Sequence, residues 1–185
     1  MNSDIPSRNL KEALLLLNNA RALLAIYHTS GNGFPLEAEL NEKKIKLLYL
    51  DIGLMQRSLG LEAAIMLNHD LVSLNQGSIC EQFVGQELLA YQDYYTEKKI
   101  FFWARDAKSS NAEIDYIFPF GPKIYPIEVK SSKRGTMKSM QLFLASHPQS
   151  PVGLRYSLHE LSFYDQIFSI PFYLISQTSR LLKEI

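Results

Sequence analysis

The sequence predicts an α/β fold in which helices flank a mixed β-sheet, and three observations support this class. Residues 77–95 place apolar side chains at helical spacing, which predicts a long and partly buried helix. Residues 100–104 and 113–130 contain apolar runs bounded by turn residues, as strands are. Residues 135–147 are again helical, and residues 151–155 predict another strand. The predicted core order is therefore helix, three strands, helix and strand.

The beginning of the chain predicts a helix followed by a β-hairpin. Residues 4–27 carry a broad apolar stripe, and Ser3 or Asp4 can cap this helix. A Gly-Asn-Gly turn follows, and residues 34–50 then alternate as a strand does. A helix with a hairpin after it resembles the second half of a winged-helix unit. Residues 61–68 predict a further short helix.

Composition and charge exclude several classes of protein. The 185 residues include 19 basic and 19 acidic side chains, so the net charge of zero argues against strong non-specific binding of nucleic acid by the chain as a whole. Cys80 is alone, which excludes an internal disulfide and favours a reducing compartment, and the four histidines lack metal-ligand spacing. The apolar runs are too short for a membrane span, and Asp4 stands where a signal peptide would be basic. We therefore expect a cytoplasmic chain.

The hairpin over residues 113–130 gathers charged side chains on one patch. Because strand side chains alternate, Glu113 and Asp115 share one face of the first strand, and Glu128 and Lys130 share one face of the second. A Pro-Phe-Gly-Pro turn sets Asp115 opposite Glu128 and Glu113 opposite Lys130. The other face is predicted to be core and carries Ile114, Tyr116, Phe118, Tyr125, Ile127 and Val129.

Facing carboxylates destabilise a sheet unless a cation lies between them. A hard divalent metal together with Lys130 would provide that cation, and so would Lys130 alone. Glu113 is either a third metal ligand or the partner of Lys130, and we favour the partner. Lys43, Lys44 and Lys46 are interpreted as solvated charges.

Glu81, Asp115 and the triplet Glu128-Val129-Lys130 together resemble the site of the PD-(D/E)XK nuclease superfamily. The resemblance implies a restriction-endonuclease-like core that binds Mg²⁺ or Mn²⁺. It assigns catalysis to Asp115, Glu128, Lys130 and Glu81, and the metal to Asp115, Glu128, Val129 and Glu81. In that superfamily the lysine assists the attacking water. Gln141 stands where some members carry a site glutamine.

A closer resemblance covers nearly the whole chain. The runs LYLDIGL, EQFVGQELL, FFWARD, EIDYIF and IEVKSS resemble the C-terminal domain of unknown function of many bacterial and archaeal AAA+-type ATPases. The resemblance implies a partial winged-helix-like segment over 1–60, a nuclease-like domain over 61–185 and an ATPase module as partner. The chain has no G-x-x-x-x-G-K-[ST] motif and thus no ATP site of that kind, so we expect a fragment of a longer ATPase.

Two functions remain open from the sequence. The first is a metal-dependent phosphodiesterase acting on DNA, in which Lys133, Arg134 and Lys138 contact phosphates beside the site. The alternative is a non-catalytic module that binds nucleic acid or protein within an ATPase assembly. On that alternative, Glu128 and Lys130 form a surface ion pair, and Glu81 is a solvated helix residue.

Overall fold

One eight-stranded sheet organises the part of the chain that the computed structural model describes, which is residues 6–61, 69–95, 99–105, 112–132 and 135–184. The strands are β1 Leu23–Thr29, β2 Leu40–Tyr49, β3 Phe101–Ala104, β4 Glu113–Phe120, β5 Lys123–Val129, β6 Gly153–Ser157, β7 Ser162–Tyr164 and β8 Ile167–Pro171. They lie in the order β2-β1-β3-β4-β5-β6-β8-β7. The pairs β1–β3, β5–β6 and β6–β8 are parallel and the other pairs are antiparallel, so the sheet is mixed.

Helices cover both faces of this sheet. The α-helices of the described residues are α1 Ser7–Asn19, α2 Ile52–Ser58, α3 His69–Ala90, α4 Lys138–Ser146 and α5 Thr178–Leu181. Short 3-10 helices span Leu36–Glu39 and Phe172–Gln177. The order α3, β3, β4, β5, α4 and β6 matches the predicted core, and the predicted α/β class with a mixed sheet is confirmed. None of the helices in the described ranges is long and apolar enough to span a bilayer.

The first helix is shorter than the sequence predicted. It ends at Asn19, and Arg21 adopts a left-handed φ of 59°, which breaks the helix before β1 begins. The Asn18 side chain accepts a hydrogen bond from the Ala25 amide at 3.0 Å and so ties the helix end to the strand. The prediction of a helix through residue 27 was therefore wrong. The proposed caps Ser3 and Asp4, and residues 62–68 of the predicted short helix, lie outside the described residues.

The first hairpin belongs to the same sheet as the core strands. β1 pairs with β2 in antiparallel fashion, and it also pairs with β3 in parallel through Tyr27–Phe101 and His28–Phe102. The first strand of this hairpin lies largely where the sequence predicted helix. The division of the chain at residue 60 stays a prediction.

Two apolar clusters lie on the two sides of the sheet. Val84 and Leu88 of α3 pack in one cluster, together with Tyr116 of β4. Met140 and Phe143 of α4 pack in the other cluster. The central strands are thus buried on both faces, which explains the density of apolar residues in the second hairpin.

A β-bulge in β4 changes the predicted face of one residue. Phe101 pairs with Ile117 and Trp103 pairs with Ile114, so two residues of β4 lie opposite one residue of β3. Ile114 therefore packs in the α4-side cluster, whereas simple alternation placed it with Tyr116 on the other side. Asp115 lies within this bulge.

Candidate metal centre

The β4–β5 hairpin has the register that the sequence predicted. Tyr116 pairs with Ile127 and Phe118 pairs with Tyr125 around a turn at 121–122. This register sets Asp115 opposite Glu128. The Val129 amide donates a hydrogen bond to Oδ2 of Asp115 at 2.8 Å, which fixes the carboxylate against the second strand.

Glu128 is buried beside Lys130 at the end of β5. The residue is only 7% exposed, and its Oε1 lies 2.5 Å from Nζ of Lys130. Its other oxygen, Oε2, is buried and has no hydrogen-bond partner within the described structure. A buried carboxylate oxygen without a partner is costly and marks a position where a ligand or cation is expected.

Glu81 reaches the same region from α3 because this helix lies very close to the sheet. The Tyr116 hydroxyl donates a hydrogen bond to the backbone carbonyl of Glu81 at 2.8 Å. One turn further along, a Cβ atom on Gly85 would lie 2.5 Å from the Tyr116 hydroxyl oxygen, so only glycine allows this approach. The buried Gln82 side chain binds both backbone groups of Tyr49, which anchors α3 to β2 as well.

Lys46 of β2 also enters the cluster, which the sequence interpretation missed. Its Nζ forms an ion pair with Glu113, lies 4.0 Å from Oδ1 of Asp115, and lies 5.1 Å from the ring centroid of Phe102. Glu113 thus pairs with Lys46, whereas the sequence favoured Lys130 as its partner. Lys46 is two residues before the buried Leu48, so both side chains lie on the same face of β2. This spacing is the signal that could have placed Lys46 on the inner face.

Burial and mutual repulsion disfavour the anionic forms of three carboxyl groups. Burial, followed by the charge of Asp115, raises the pKa of Glu81 to about 7. Burial raises the pKa of Asp115, and the hydrogen bond from Val129 only partly offsets this effect. Burial and the charge of Asp115 raise the pKa of Glu128 as well. A cation placed among these groups would relieve the repulsion.

Comparison with known families adds one finding. Residues 76–175 match the family described as Domain of unknown function (DUF4143). The chain belongs to this family. The matched DUF4143 region contains Glu81, Asp115, Glu128 and Lys130, and Lys46 lies outside it. No curated protein and no solved structure matches the chain significantly.

The other predicted site residues of the DUF4143 region lie on α4, at Val129 or outside the described residues. Lys138 is exposed at the first residue of α4, and Gln141 is exposed on the same helix. Lys133 and Arg134 lie outside the described residues. The Val129 side chain packs in the α3-side cluster, so only its backbone carbonyl could bind a metal.

The described carboxylates of the DUF4143 region are not already arranged around a metal position. Among the described residues, no group of three or more His, Cys, Asp or Glu side chains is arranged to hold a metal ion. Asp115 lies near Lys46 and Glu128 pairs with Lys130 instead. The residues still fit a magnesium-like ion, because such an ion is usually held by one or two carboxylates and keeps several waters.

Proposed function

We propose that the chain is a metal-dependent phosphodiesterase that acts on DNA. The carrying observation is the buried Oε2 of Glu128, which has no hydrogen-bond partner within the described structure and belongs to a cluster of carboxyl groups with raised pKa values. Perturbed carboxyl groups that gather at one place are typical of functional sites. The strand and helix order supports a restriction-endonuclease-like core, and an AAA+-type ATPase module is the proposed partner in the cytoplasm.

Each residue of the cluster has a role in this proposal. Asp115, Glu128 and the Val129 carbonyl hold Mg²⁺ or Mn²⁺, with Glu81 completing the set. The metal, when bound, supplies charge neutralisation at the phosphate and lowers the pKa of a bound water. The Lys130 ammonium orients the attacking water and stabilises negative charge on the phosphate.

A second candidate function rests on the ion pairs of the same cluster. Lys46 and Lys130 already provide positive charge beside Glu113, Asp115 and Glu128. A set of carboxylates neutralised by lysines can be a purely structural network. This observation favours a non-catalytic module that contacts nucleic acid or protein within an ATPase assembly.

Cleavage of DNA by a Lys130→Ala variant distinguishes the two functions. The native chain is incubated with Mn²⁺ and single-stranded, double-stranded or branched DNA. We expect weak nicking, and we expect Lys130→Ala to lower the rate by about 100-fold or more because it removes a charge that acts mainly in the transition state. Thermal melting checks that the variant is folded.

Lys123→Ala is the matched control, because Lys123 begins β5 beside the turn, at the end of the strand away from Lys130. This variant should cleave at the native rate. Absence of cleavage of all three DNA forms by the native chain, alone and joined to an ATPase partner, would favour the binding module instead.

A further inference from the structure

Lys46 influences the acidic cluster more widely than Lys130 does. Its Nζ forms an ion pair with Glu113 and lies 4.0 Å from Oδ1 of Asp115. Lys130 is held at 2.5 Å by one carboxylate, Glu128. Lys46 thus acts as a counter-ion that two carboxylates of β4 share.

The Lys46 ammonium lies near the position of a metal ion bound to Asp115. Nζ lies 4.0 Å from Oδ1 of Asp115. Since magnesium binds oxygen at about 2.1 Å, an ion held by Oδ1 would lie within about 6 Å of Nζ in its present position. Two cations at that separation in a partly buried site repel each other strongly. The metal and the ammonium therefore compete for the same carboxylates.

Lys46 can leave the cluster without any change of fold. Its side chain is 29% exposed, so solvent reaches it directly. β2 is one of the two edge strands of the described sheet, and the Gln82 side chain holds its backbone at Tyr49. The strand can stay in place while the long and flexible lysine side chain rotates towards water.

We propose that Lys46 is a built-in counter-ion, which occupies the acidic cluster of the metal-free chain and must move aside when a divalent metal binds. This inference rests on the proposed function and describes how its metal site is regulated. It predicts that Lys46 stabilises the metal-free fold and weakens metal binding. A residue that merely supports the fold would not do both.

Titration with Mn²⁺ tests the proposal, with free Mn²⁺ followed by electron paramagnetic resonance. Lys46→Met keeps the length of the side chain and removes its charge. We expect this variant to bind Mn²⁺ about 10-fold more tightly or better, and to melt at a lower temperature than the native chain when no metal is present. Added Mn²⁺ should narrow the difference in melting temperature, because the metal binds the native state selectively.

Three control variants test whether the effect depends on the charge of residue 46, on its position in β2 and on the metal site at Asp115. Lys43→Met removes a lysine from the same strand that lines the groove beside α1 with Ile45 and Leu47, and it should bind Mn²⁺ like the native chain. Lys46→Arg keeps the positive charge, so it should bind Mn²⁺ no more tightly than the native chain does. Asp115→Asn should lose most Mn²⁺ binding.

Each result has a distinct meaning. Equal or weaker Mn²⁺ binding by Lys46→Met, with Asp115→Asn still impaired, would overturn the counter-ion role and leave the metal site standing. Tighter binding by Lys46→Arg would also overturn it, even if Lys46→Met does not fold. Absence of Mn²⁺ binding by the native chain and by Lys46→Met alike would overturn the proposed metal site itself.

Discussion

The two hairpins of the sheet contribute to the acidic cluster in opposite ways. The β4–β5 hairpin lies in the centre of the sheet, where Tyr125 and Ile127 are 1% and 0% exposed. The β1–β2 hairpin lies at the edge of the sheet, where Ile45 and Leu47 are 40% and 43% exposed. The central hairpin carries the buried Glu128 and the half-buried Asp115, and the edge hairpin supplies the lysine that reaches Asp115.

This difference shows how one sheet can keep repelling charges in a buried place. The apolar packing on both faces of β4 and β5 holds Asp115 and Glu128 near each other despite their repulsion. The edge strand β2 has little packing on its outer face. On its inner face, the long and flexible Lys46 side chain can reach the carboxylates or turn towards water. The carboxylates are thus held rigidly, whereas the Lys46 ammonium can move.

Alanine substitutions in the two hairpins should give the largest contrast. Ile127→Ala opens a cavity between fully packed neighbours, and we expect the free energy of unfolding to fall by about 3–4 kcal/mol. Ile45→Ala in the edge hairpin should cost less than about 1 kcal/mol, because that side chain is 40% exposed. Urea unfolding of both variants measures the two values. Equal costs would show that the edge hairpin is packed as tightly as the central one.

The pH dependence of stability should show that burial and repulsion disfavour the ionised carboxyl groups of the cluster. The pKa of Glu81 rises from 4.5 to about 7 on folding, so between these values the folded chain binds more protons than the unfolded chain. The free energy of unfolding must then fall as the pH rises from about 5 to 8 without metal. We expect a loss of about 1–3 kcal/mol, because solvent screens part of the shift.

The charged neighbours of Glu81 set the size of this pH effect. Asp115 and Glu128 act in the same direction as Glu81, whereas Lys46 opposes them. Glu81→Gln should flatten the pH profile. Denaturant unfolding at a series of pH values provides the measurement. A profile of Glu81→Gln as steep as that of the native chain would contradict the assignment.

Loss of the hydrogen bond between the central hairpin and α3 should have the smallest effect. Tyr116→Phe removes the donor to the Glu81 carbonyl and keeps the ring, so we expect a cost of about 1 kcal/mol. Tyr164→Phe is the control, because Tyr164 is 83% exposed. Hydrogen exchange of the α3 amides should accelerate in Tyr116→Phe alone. Equal exchange rates in both variants would mean that this bond does not hold the helix.

The central hairpin could be predicted closely because its information is local. The Pro-Phe-Gly-Pro turn fixes the register, and the register sets Asp115 opposite Glu128. The bulge at Asp115 could not be predicted in this way, since it depends on the pairing of β4 with β3. The raised pKa of Glu81 likewise depends on how deeply α3 lies against the sheet, which the helical pattern alone does not reveal.

The edge hairpin was predicted less well for physical reasons of its own. The apolar run over residues 23–27 fits a helical period as well as a strand. The left-handed Arg21, which lies between α1 and β1, gives no strong sequence signal. The contact of Lys46 with Asp115 joins residues far apart in the chain. It follows only from the parallel pairing of β1 with β3, which brings the whole hairpin beside the core.

The Gln82 side chain has a consequence for solubility. An edge strand presents unpaired amide and carbonyl groups on which strands of other molecules can assemble. The Gln82 amide donates to the Tyr49 carbonyl at 2.8 Å and its oxygen accepts from the Tyr49 amide at 3.0 Å, so one side chain imitates the next strand of the sheet. The outer edge of β2 is thereby closed at this point, and α3 shields the sheet from growing into a fibril by strand addition there.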